Sequence, residues 1–83
     1  MHASDIGFMA GLQDAIEHMT EKYDSASRMR GCHYNGMNAA DTTEARREHR
    51  AQYEFYDGKR DAYADALTAL QTAHKSLMKE YEQ

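Results

Sequence analysis

The chain has 83 residues, a formal charge of −4 and a single cysteine, so it makes at most one small domain and no internal disulfide. The acidic balance opposes general nucleic-acid binding, which needs a basic field to displace counterions. Proline, valine and tryptophan are absent, whereas Ala, Glu, Gln, Met, Arg and Lys abound, which excludes a strand-rich fold and favours helix.

The first residues lack the basic region and apolar run of a signal peptide. No segment approaches the roughly 20 apolar residues of a membrane span. A cytoplasmic protein without membrane contact is expected. The lone thiol, Cys32, fits a reducing compartment.

Helix one is predicted over residues 4–28. Ser4 and Asp5 are candidate caps, and an acid there suits the helix dipole. Met9, Leu12, Ile16, Met19 and Tyr23, followed by Ala26, recur every three or four residues and form its apolar face. Residues 29–39 read as the connection, because Gly31, Gly36 and the Asn35-Gly36 pair are turn signals.

Helix two is predicted over residues 40–82, with Asp41 and Glu44 placed like a capping box. A heptad seam runs along it through His49, Tyr53, Tyr56, Arg60, Tyr63, Leu67, Leu70, His74, Leu77 and Tyr81. Such spacing keeps one helix face turned toward a partner helix. The phase does not shift across Asp57-Gly58, so a continuous helix with a possible kink at residues 57–58 is expected. Beside the seam lies a stripe of Ala62, Ala66, Ala69 and Ala73. Two faces, and a second helix much longer than the first, suggest two helical partners. The expected architecture is all-α: a helical hairpin with a long second helix in a coiled-coil-like homodimeric bundle. The alternative is a monomeric three-helix bundle broken at residues 57–58. In the dimer, Tyr56, Tyr63, Leu67, Leu70, His74, Leu77 and Tyr81 form the seam.

Catalytic motifs are not found, and no enzyme activity is expected. Cys32-His33 is the only adjacent pair of soft metal ligands, whereas a structural zinc site needs four ligands. No metal and no cofactor is expected, and Cys32 reads as a loop thiol. His49 and His74 read as seam residues whose rings pack while their nitrogens meet water. Asp57, Asp61 and Asp65 read as a solvated face.

The segment from Arg46 to Tyr56 carries the most promising surface. Arg46, Arg47, Arg50, Tyr53 and Phe55 are candidate partner-binding residues, since Arg and Tyr dominate binding hot spots. Glu44, Glu48 and Glu54 dilute the basic field, so nucleic acid is not the expected partner. The plainer reading pairs these arginines with those glutamates, for example Arg50 with Glu54.

The stretch Tyr56-Asp57-Gly58-Lys59-Arg60-Asp61-Ala62-Tyr63-Ala64-Asp65-Ala66-Leu67, 12 of 83 residues, resembles a phrase found in small helical accessory proteins of bacteriophages and prophages. Such proteins are short, acidic, often dimeric, and modify a host function by binding a host protein. The resemblance implies a phage-encoded inhibitor or modulator of a bacterial protein and is silent on the target. A defence complex, a transcription regulator or a motor ATPase are the expected target classes. A coiled-coil adaptor or assembly protein is the alternative.

Overall fold

In a computed structural model, which describes residues 3–82, the chain is a hairpin of two long antiparallel helices. The first, α1, spans Ala3–Ala39 (37 residues), and the second, α2, spans Thr43–Glu82 (40 residues). No strand occurs among the described residues. The molecule is a rod, with Cα extents of 61 × 16 × 13 Å and a radius of gyration of 18.5 Å. A compact chain of this length would have a radius of about 12 Å.

The connection differs from the expectation. Residues 29–39 are helical, and the turn is confined to Ala40, Asp41 and Thr42. Neither Gly31 nor Gly36 adopts a positive φ. A glycine costs an exposed helix interior only about 1 kcal/mol, which packing along a long interface offsets. The heptad phase in fact runs on through this segment: Ala26, Arg30, His33, Met37 and Ala40 follow by steps of four and three, and each is buried or half-buried. Thr42, not Asp41, caps α2: its Oγ1 accepts the Ala45 N–H at 3.1 Å, and its carbonyl accepts the Arg46 N–H at 3.1 Å. Across Asp57-Gly58 the helix is continuous, as the unbroken phase requires.

With α1 extended, the two helices match in length, and α1 covers α2 along the whole rod. Cross-helix contacts fix the register: Ser27 meets Arg60, Arg30 meets Asp57, and His33 meets His49. The seam of α2 is therefore occupied by α1 of the same chain, and the unpaired stretch of α2 that argued for a second copy does not exist. Every seam position from His49 to Tyr81 is half-buried, and Leu12 and Ala26 on α1 are the only apolar side chains counted as core among the described residues. Among the described residues no side chain is fully buried. A hairpin two helices thick has no third layer to close over its seam.

Candidate functional site

The half of the hairpin nearest the turn holds a chain of polar and aromatic contacts. Arg30, from the segment expected to be a loop, projects from α1 onto α2. Its Nε donates to Asp57 Oδ1 at 2.6 Å, and its Nη2 donates to the Tyr53 hydroxyl at 2.7 Å. Its guanidinium also lies 4.9 Å from the Tyr53 ring centre. Partial burial alone would lower the basicity of Arg30, but the Asp57 hydrogen bond and the neighbouring Tyr53 outweigh it, and the net shift is upward. One turn toward the open end, Arg60 repeats the arrangement in the opposite direction. It donates to Ser27 Oγ at 3.0 Å and stacks over Tyr23 at 5.0 Å. Asp57 is thus a cross-helix partner and not part of a solvated row, while Asp61 and Asp65 are exposed as expected.

One turn toward the connection, His33 and His49 face each other. Their Nδ1 atoms are 3.1 Å apart. His33 is stacked on Tyr56, with ring centres 5.7 Å apart and planes inclined by 8°. The His49 ring is seated where α1 carries Gly36: a Cβ at that position would lie 2.6–2.9 Å from three ring atoms. Here glycine is a packing requirement and not a turn signal. An open groove of about 350 Å³ beside the pair is lined by His33, Glu48, His49, Ala51 and Gln52.

The predicted partner-binding residues are brought together in part. Arg46, Arg47, Arg50 and Tyr53, with Met37, Thr43 and Glu54, line an open groove of about 510 Å³ at the turn end of the rod. Phe55 does not line it. It stands on another face, 54% exposed, edge-on to Tyr56 and 4.9 Å from the Lys59 ammonium. Arg50 pairs with Glu54 at 3.3 Å, both side chains largely exposed, so this pair is worth at most a few tenths of a kcal/mol. Arg46 reaches the Ala40 carbonyl at 3.4 Å and helps close the turn. Arg47 makes no ion pair or side-chain hydrogen bond among the described residues.

Cys32 is exposed on α1 and is not a loop thiol. Among the described residues no three metal-ligating side chains converge, and no helix is long and apolar enough to cross a membrane. His74 departs from the expected hydrated ring: its Nε2 is buried without a hydrogen-bond partner among the described residues. Near the open end the Tyr81 hydroxyl is pushed up to about 12, first by burial and then by its hydrogen bond to Asp5.

Sequence reasoning misses Arg30, and sees His33 only as a loop neighbour of Cys32, because the glycines around them are turn signals. The signal that finds them is the seam spacing from Ala26 to Ala40. Comparison of the chain with protein-family models, with curated proteins and with solved structures returned no match.

Proposed function

We propose that this chain is a non-enzymatic, phage-encoded protein that binds a bacterial host protein in the host cytoplasm and inhibits or modulates it. The observation that carries the reading is a surplus of surface. The hairpin exposes 6136 Å², against about 5,000 Å² for a compact monomer of this mass. The excess exceeds one partner's share of a standard interface, roughly 800 Å². The groove of Arg46, Arg47, Arg50 and Tyr53 supports the same reading, because it gathers hot-spot residue types at one end of the rod, with the three arginines exposed. The resemblance of residues 56–67 to phage accessory proteins supports the phage source and says nothing about the target; a defence complex, a transcription regulator or a motor ATPase are the target classes proposed.

The surplus surface also supports self-association. Because the seam is used within the chain, a second copy meets an outer face. On α2 that face includes the exposed alanines Ala62, Ala69 and Ala73. These alanines favour a second reading, a coiled-coil adaptor without inhibitory activity.

Capture from bacterial lysate with the chain as bait separates the two. The inhibitor reading expects a single stoichiometric protein whose own activity falls when the chain is added. Arg46→Ala combined with Arg50→Ala should keep helicity and weaken that capture at least about thirtyfold, the factor that 2 kcal/mol implies. Self-assembly with no captured partner would favour the adaptor. A monomer of 9.5 kDa in light scattering at micromolar concentration would remove the homodimer.

A further inference from the structure

Of the features that the proposed binding role leaves unused, the facing histidines carry the most geometry. We propose that His33 and His49 form a two-histidine chelate for a borderline divalent cation of the zinc or copper(II) class, clipping α1 to α2. The two Nδ1 atoms lie 3.1 Å apart across the helix interface. A cation at the usual metal–imidazole distance of about 2.0–2.1 Å from each would subtend an angle of about 100°. That value lies between the square-planar and tetrahedral ideals, so the nitrogen separation suits a shared ion. Without the ion the two Nδ1 atoms share a hydrogen bond, and binding replaces that proton and turns both lone pairs toward the metal. Zinc and copper(II) are the ions that imidazole suits among those accepting such angles.

Both rings are held from behind. Tyr56 stacks flat on His33, and Gly36 leaves the space that the His49 ring occupies. Ligation through Nδ1 requires the neutral tautomer with its proton on Nε2. The neighbouring cation Arg30 is paired with Asp57, which limits its repulsion of an added charge. The adjoining groove of about 350 Å³ provides an entry path and room for water in the open coordination positions. An ion bound here joins residues 16 apart on two different helices, so it reinforces a hairpin that already exists. It is a clip and not a folding nucleus.

The test is a calorimetric titration of the tag-free chain with zinc chloride, and separately with copper(II) chloride, at neutral pH. One ion per chain is expected. At an ion concentration a hundred times the Kd, the ratio of folded to unfolded protein should rise about a hundredfold, read as a higher thermal midpoint. His33→Phe keeps the stack on Tyr56 and removes one ligand, so it should lose both the heat and the stabilisation while retaining helicity. Gly36→Ala, which displaces the His49 ring, should do the same, whereas His18→Ala should change neither. Independently of any variant, the copper(II) electron paramagnetic resonance spectrum of the parent chain should show coupling to two imidazole nitrogens. Absence of binding at millimolar ion, equal binding by His33→Phe, or coupling to fewer than two nitrogens overturns the proposal.

Discussion

The two halves of the hairpin are built from different chemistry. Near the turn, the interface is Arg30–Asp57–Tyr53, His33–His49 and the Tyr56 ring stacked on His33. Toward the open end, the inward positions are Met9, Leu12, Ile16 and Met19 on α1, and Leu67, Leu70 and Leu77 on α2, all buried or half-buried. Apolar burial is strong and non-directional, at about 25 cal/mol per Å², so it tolerates a slip of one heptad. Hydrogen bonds and ion pairs are weaker in net free energy but tied to one geometry, and their best-attested use is to fix register. The aliphatic half supplies adhesion, and the polar half decides which residues meet.

The comparison predicts a gradient of mutational cost. The largest effect belongs to Leu70→Asp in the aliphatic half. A carboxylate placed on the seam without a partner costs several kcal/mol, comparable to the whole stability of a small domain. Circular dichroism should show loss of helix or a collapse of the melting temperature. An unchanged melt would mean that this half does not carry the adhesion.

Next come two glycines of the polar half that differ only in what they face. At Gly31 a Cβ meets nothing within 4 Å, so Gly31→Ala should stabilise by about 1 kcal/mol through helix propensity. At Gly36 the same change strikes the His49 ring and should destabilise by about 1 kcal/mol or more. In a His49→Ala background, Gly36→Ala should become stabilising as well. Denaturant melts of the four variants form the double-mutant cycle that checks this.

His74 is the one polar misfit within the aliphatic half. Its Nε2 is buried and lacks a hydrogen-bond partner among the described residues. His74→Leu should therefore raise stability by about 1 kcal/mol, read from the denaturation midpoint. A loss would show that the ring nitrogen is satisfied.

The smallest effect is confined to alkaline pH. The folded-state value of Tyr81, about 12, exceeds the ordinary 10.0, because burial and the bond to Asp5 favour the protonated phenol. A raised folded value stabilises the protein below the unfolded one, and that contribution disappears as pH rises through the folded one. Stability should therefore fall between about pH 10 and 12. Tyr81→Phe should cost only the Asp5 hydrogen bond near neutrality and flatten that alkaline fall in pH-dependent melts.

Much of this fold is legible in the sequence. The all-helical class, the α1 face from Met9 to Ala26 and the seam from His49 to Tyr81 follow from spacing alone. The extent of α1 was obscured because Gly31, Asn35 and Gly36 are turn formers locally, and local propensity loses to an interface that spans the whole rod. That error hid Arg30 and made His33 a loop residue beside Cys32, and so hid the polar half. It also made the helices look unequal and lent the seam to a second copy. For the candidate site, the gathering of Arg46, Arg47, Arg50 and Tyr53 was readable from helical periodicity. The outlying position of Phe55 follows from the same periodicity, two residues beyond Tyr53. The cross-helix meeting of His33 with His49 was not readable, because it depends on a three-residue turn that composition does not announce.

That short turn also sets an order of events in folding. Contacts near it close small loops: 16 residues for His33–His49, 27 for Arg30–Asp57 and 33 for Ser27–Arg60. Each doubling of loop length adds about 0.6 kcal/mol of closure entropy. The hairpin should therefore zip from the turn outward, meeting its register-setting contacts before its leucines. A chain that tests alignment first and commits its greasy surface second spends little time in mispaired, sticky states.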